Sequence, residues 1–187
     1  MSARASLESG HVERRAFALE VRAARGNPRR LEGYAATFGT EARIGNFVET
    51  ICAGAFAASL ANNSDVLALV DHDPQRLIGR TKSGTLRLSE DSRGLAFSLD
   101  VPDTTLGRDT LALAERGDLG GMSFGFTAQD ENWNSNRREL RAVKLHEISF
   151  VQSWPAYSST IIEARGRAAP APRLALARRY LETMRGV

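Results

Sequence analysis

The chain has 187 residues, 42% of them hydrophobic, which is enough for one packed domain with tails. No apolar run approaches the ~18 residues of a membrane span, the N-terminal stretch MSARASLESGHVERR lacks the apolar region of a secretory signal, and the single cysteine, Cys52, excludes an internal disulfide and a multi-cysteine metal centre. The net charge of +3 comes from arginines scattered along the chain, densest at Arg14 and Arg15, Arg29 and Arg30, Arg137 and Arg138, and Arg178 and Arg179, with no basic stripe interleaved with aromatics, so nothing points to nucleic acid as a partner.

Taken in order, residues 1–12 are small and polar and read as loose, and the flexible N-terminal segment is drawn as 1–14. Phe17, Leu19 and Val21 alternate with smaller or charged residues, a strand pattern over 15–23. Residues 31–38 (LEGYAATF) and 43–50 (RIGNFVET) read as two further strands. The alanine-rich stretch 54–61 (GAFAASLA) reads as a short helix stopped by Asn62 and Asn63. The apolar run 66–70 (VLALV) suits a buried strand. Strands are expected at 85–89 and 95–101, joined by the turn-rich EDSRG. Pro102, Asp103 and Thr104 open a helix over 106–116 that Gly117 ends. A strand over 122–128, a hairpin tip at 132–136 (NWNSN) and a long return strand over 139–151 follow. Residues 165–172 (RGRAAPAP) form a linker by composition, and 174–184 could supply a last helix. The core domain is thus 15–164, followed by a tail over 165–187. Short strands with few helical crossovers predict a mainly β (α+β) fold, an antiparallel barrel or sandwich rather than a doubly wound sheet.

The chemistry-bearing residues are few. There are three histidines, His11, His72 and His146. His11 lies in the loose N-terminus. His72, in Val70-Asp71-His72-Asp73-Pro74, falls where an apolar strand ends, a place where a scaffold can present a side chain to a cleft. Its plain reading is a surface histidine in a charged turn. Ser123 lies in Gly120-Gly121-Met122-Ser123-Phe124-Gly125-Phe126. Alternation puts it opposite the bulky Met122, Phe124 and Phe126, on a face cleared by glycine, which leaves room for a substrate backbone. Its plain reading is a small residue on a crowded sheet face. The bulky alternation marks a strand, so the segment is not read as the strand-to-helix elbow of G-x-S-x-G hydrolases.

A serine nucleophile needs a base, and the base works best when a third group fixes its orientation. In Leu145-His146-Glu147-Ile148-Ser149-Phe150-Val151 that group is Glu147 or His146. Alternation places Glu147 on one face with Leu145 and Ser149, and His146 on the other with Ile148 and Phe150, so Glu147 is favoured.

These segments, in this order, resemble the tailed-phage prohead (capsid maturation) serine protease family. The resemblance is carried by Gly33-Tyr34-Ala35-Ala36-Thr37-Phe38; by Glu49-Thr50-Ile51 with Gly54-Ala55-Phe56; by Asp71-His72-Asp73 with Ile78-Gly79-Arg80; by Gly121 through Phe126; and by Leu145 through Ala156. The chain departs from the pattern at Ala53, where the family often has proline. The resemblance implies an assemblin-like β-barrel with a few surrounding helices. It also implies a catalytic set of Ser123, His72 and Glu147, with His146 as the alternative third member because assemblin uses a histidine there. No metal or cofactor is implied. For the oxyanion the candidate donors are backbone N–H groups of the SWPAY loop, around Pro155 and Ala156. The implied substrates and partners are the major capsid protein and its scaffolding segment, with self-cleavage and a possible homodimer. The implied location is the host cytoplasm, inside the immature capsid. A rival reading keeps the barrel without the chemistry, as a capsid-assembly binding or scaffold module.

Overall fold

The computed structural model describes residues 11–17, 21–24, 27–62 and 64–152. Eleven strands and two helices occur among them: β1 Glu13–Phe17, β2 Val21–Ala24, β3 Asn27–Thr37, β4 Ala42–Ile44, β5 Phe47–Ile51, α1 Ala57–Ala61, β6 Leu67–Val70, β7 Asp73–Arg80, β8 Leu86–Glu90, β9 Gly94–Asp100, α2 Thr105–Arg116, β10 Gly121–Asn134 and β11 Arg137–Val151. The expected linker and last helix, and the SWPAY loop with Pro155 and Ala156, lie outside the described residues.

The strands form two sheets. The larger runs β1-β10-β11-β5-β4, with β6 also paired to β11 and β7 to β6; the smaller runs β2-β3-β9-β8. The long strand β11 is the spine of the larger sheet. Its first residues pair in parallel with β5, through Arg137↔Val48 to Leu140↔Ile51, and its last pair in parallel with β6, through Glu147↔Leu67 to Phe150↔Val70. The expectation of an antiparallel barrel is therefore corrected: the larger sheet is mixed, and the described strands leave open edges rather than closing. The parallel pairings arise because α1 and its flanking turns carry the chain from β5 across to β6, which a hairpin cannot do.

Periodicity explains the strands. In β10, Met122, Phe124 and Phe126 are fully buried and point into the space between the sheets. Phe150 of β11 meets Phe97 of β9 edge-on at 5.5 Å, which ties the two sheets together, and Phe56 meets Phe124 at 5.4 Å. Each such ring contributes roughly 1.5–3 kcal/mol of burial. The helix α2 is bounded as its sequence predicts. Thr104 Oγ1 accepts from the N–H of Gly107 at 3.1 Å. Gly117, at φ 73°, closes the other end, with its N–H on Ala114 and that of Asp118 on Leu113.

Three sequence expectations are refined. The single strand expected over 15–23 is two, β1 in the larger sheet and β2 in the smaller. Residues 43–50 form a hairpin, β4 and β5, rather than one strand, because Gly45 turns the chain. Strand β7 was not expected at all: Pro74 argues against a strand interior, but β7 is an edge strand paired only with β6, where proline is tolerated.

Candidate active site

Strand β10 has both edges occupied where Ser123 sits. Ala16 of β1 lies opposite Ser123 on one side and Ser149 of β11 on the other. Two residues along, Arg14 and Glu147 flank Gly125 in the same way. One face of the sheet thus collects Ser123, Ser149, Glu147 and Arg14, opposite the phenylalanine face. Gly125 is required there. A Cβ on it would stand 2.7 Å from Glu147 Oε1 and 2.8 Å from Glu147 Cγ.

The side chain of Glu147 reaches this face through a β-bulge. The register passes from Gly125↔Glu147 directly to Phe126↔Leu145, so His146 has no opposite residue on β10. The expected sharing of a face by Leu145 and Glu147 is corrected accordingly. Leu145 is buried in the core beside Phe126, and Glu147 is turned to the other face. His146 is carried away from the site: its Nε2 bonds Thr127 Oγ1 at 2.9 Å, and burial lowers its pKa.

His72 arrives from the β6–β7 hairpin. Val70 pairs with Asp73, so the loop is the two residues Asp71 and His72 alone, at φ 53° and 60°. Consecutive left-handed residues are what a two-residue hairpin turn demands, and they favour Asn-Gly. Here neither residue is glycine, and such conformations cost of order 1–3 kcal/mol each unless the surroundings hold them. The surroundings do. Asp71 N–H bonds Phe150 O at 3.0 Å, Asp71 Oδ1 accepts from Gln152 N–H at 2.9 Å, and Asp71 Oδ2 accepts from Arg76 at 2.6 Å.

The turn aims the imidazole at Glu147. His72 Nδ1 lies 2.6 Å from Glu147 Oε1. Arg14 Nε approaches the same oxygen at 3.3 Å from the half-exposed end of its side chain. Glu147 Oε2 accepts from Ser149 Oγ at 2.6 Å, and Ser149 Oγ accepts from the backbone N–H of His72 at 3.1 Å. Burial would raise the Glu147 carboxyl, but His72, Ser149 and Arg14 together outweigh it and hold the group below the usual carboxylate range. The ionised Glu147 accepts a hydrogen bond from Nδ1–H, which leaves the lone pair of the neutral ring on Nε2.

Ser123 is only 1% exposed, and its Oγ is the one buried side-chain polar atom among the described residues with no hydrogen-bond partner. An unpartnered buried hydroxyl costs free energy that a purely structural position would have shed. Sequence reasoning picked out Ser123, His72 and Glu147, and two of these three meet directly. It missed Arg14, and it noted Ser149 only as a neighbour in the alternation; the strained turn at Asp71 and His72 gave no signal because β7, its second strand, is not expected from the sequence. Among the described residues no group of His, Cys, Asp and Glu side chains could hold a metal ion.

A carboxylate bonded to an imidazole, beside a sheet face that carries an unpartnered serine hydroxyl, holds the kinds of group that serine hydrolases use. Residues 17–171 match the family model of the caudovirus prohead serine protease, and the chain belongs to that family. Among solved structures it is similar to the bacteriophage T4 capsid assembly protease, gp21, at 13% identity and a TM-score of 0.53, over 76% of this chain and 96% of that one; at this identity the likeness is one of fold. No curated protein matches the chain.

Proposed function

We propose that this chain is the serine endopeptidase of prohead maturation, with Ser123 as nucleophile, His72 as general base and Glu147 as the group that orients it. The observation that carries the reading is the 2.6 Å contact between His72 Nδ1 and Glu147 Oε1 on the face that bears the unpartnered Ser123 hydroxyl. His146 is not the third member on this reading, since its ring is spent on Thr127.

The reaction is acyl transfer. Ser123 Oγ attacks the scissile carbonyl carbon while Nε2 of His72 takes the hydroxyl proton. Collapse of the tetrahedral intermediate expels the amine, which receives that proton from the imidazolium. Water then attacks the ester, giving its proton to His72, and the acid leaves as Ser123 is restored. Throughout, Glu147 balances the transient charge on the ring without taking the proton. Since both edges of β10 are already paired, a peptide meets Ser123 across the face of the sheet that bears it and not by adding a strand beside it. With Ser123 closed to solvent in the free protein, peptide binding includes an opening step. Oxyanion donors are assigned to the backbone around Pro155 and Ala156.

The substrates proposed are the scaffold or the scaffold-like segment of the major capsid protein, and the chain itself within residues 165–172. The work is done inside the immature capsid in the host cytoplasm, by a monomer or homodimer. Co-expression with the major capsid protein tests the reading. The wild-type chain should shorten it, and Ser123→Ala should leave it whole while shells still assemble. Cleavage that persists in Ser123→Ala removes the nucleophile assignment. A wild-type chain that cleaves nothing points instead to a non-catalytic assembly module.

A further inference from the structure

We infer that Ser149 is a positioning residue of the active site, because its hydroxyl closes a hydrogen-bonded ring that starts and ends on His72. The inference rests on the reading of Ser123, His72 and Glu147 given above. The ring runs from the backbone N–H of His72 to Ser149 Oγ at 3.1 Å, from Ser149 Oγ to Glu147 Oε2 at 2.6 Å, and from Glu147 Oε1 back to His72 Nδ1 at 2.6 Å.

The direction of each bond is fixed. A backbone N–H can only donate, so Ser149 Oγ accepts from His72. The single proton of that hydroxyl is then free for Glu147 Oε2, which accepts it as an ionised carboxylate. With one oxygen so engaged, the other faces Nδ1. A side chain on β11 thereby ties the rotamer of the base to the backbone of the base's own strained turn. Ser149 is fully buried and its hydroxyl has no solvent to fall back on. Few residues could replace it. Alanine leaves both the His72 N–H and Glu147 Oε2 short of a partner. Threonine adds a methyl to a filled site. Cysteine keeps the shape with a much weaker donor.

The ring is built on the left-handed backbone that the two-residue turn requires at His72. At φ 60° the N–H is met by Ser149 while the ring of the same residue is met by Glu147, two positions away on β11.

The test uses the full chain and a fluorophosphonate reagent that phosphonylates an activated serine. Ser149→Ala and Ser149→Cys are compared with wild type for the rate of Ser123 labelling, for the reagent concentration at half-saturation, and for the downfield proton resonance of His72 Nδ1–H. Expected are a fall in maximal labelling rate of roughly tenfold to a hundredfold in Ser149→Ala, the size of one charge-assisted hydrogen bond, little change in half-saturation, and loss or upfield shift of the resonance. Ser149→Cys should lie between the two. Should Ser149→Ala fail to fold, Ser149→Cys carries the test alone. Labelling within twofold of wild type with an unmoved resonance, in either folded variant, overturns the role of Ser149. Labelling of Ser123→Ala at the wild-type rate overturns the underlying reading instead.

Discussion

Arg14 and Arg15 are neighbours on β1, yet they serve two polar clusters on opposite faces of the sheet. Arg14 points to the face that bears Ser123 and touches Glu147. Arg15 points to the other face, is 1% exposed, and grips Glu49 through two bonds of 2.5 and 2.8 Å and Glu13 through one of 2.6 Å. Arg138 completes that second cluster, bonding Glu13, Glu49 and Glu131. In the ion cluster, β1, β5, β10 and β11 are stitched together, and each of these charges faces an opposite one. In the cluster around Glu147 the Ser123 hydroxyl has no partner and His72 sits on strained backbone. Both clusters are buried and polar. The first spends its groups on structure, and the second holds some of them in reserve.

The comparison predicts opposite responses to substitution. The largest effect belongs to Ser123→Ala, which should lower fluorophosphonate labelling by at least roughly a thousandfold. Its thermal midpoint should hold or rise slightly, because the lost hydroxyl made no bond. A clear drop in stability would mean that Ser123 is a structural residue like those of the ion cluster. Next comes Arg15→Met, which removes the bonds of Arg15 to Glu49 and Glu13, leaves the buried Glu49 with Arg138 alone of its two arginine partners, and should cost about 2–3 kcal/mol in urea unfolding. A cost below about 1 kcal/mol would show that β1 is not anchored there.

Gly125→Ala sharpens the boundary between the clusters. The new methyl collides with the Glu147 carboxylate, so labelling should fall by roughly tenfold to a hundredfold with a smaller loss of stability. The smallest effect is the pH dependence of stability. The folded-state pKa values of both Glu147 and Glu13 are depressed: burial raises each, and the outweighing partners are His72, Ser149 and Arg14 for Glu147, and Arg138 and Arg15 for Glu13. A depressed carboxyl contributes stability that is complete above its unfolded pKa, near 4.3, and is lost as pH falls through the folded value. Unfolding midpoints should therefore be flat above about pH 5 and drop below about pH 4. Glu147→Gln should shallow that drop.

Much of this was legible beforehand. The core face of β10 follows from Met122, Phe124 and Phe126 by alternation alone, and helix α2 from Thr104 and Gly117. A glycine-cleared strand face marks Ser123, a strand end marks His72 and alternation favours Glu147, but only the family resemblance joins the three into a candidate set. What stayed hidden is tertiary. The bulge at His146 inverts the faces of Leu145 and Glu147, and no local pattern announces which residue a bulge will skip. The parallel pairing of β5 and β6 along one long strand depends on contacts across some 80 to 90 residues of sequence (Ile51 with Leu140, Leu67 with Glu147). In the sequence Arg15 and Arg138 are only two of the arginines scattered along the chain, since their pairing with Glu49 and Glu131 requires the folded sheet.

The most direct test of the catalytic assignment is to label the full chain with the fluorophosphonate and map the adduct by mass spectrometry, in wild type and in His72→Ala. The account predicts one adduct, on Ser123, falling to background in His72→Ala. An adduct on Ser149 or another serine, or equal labelling of Ser123 without His72, would contradict it.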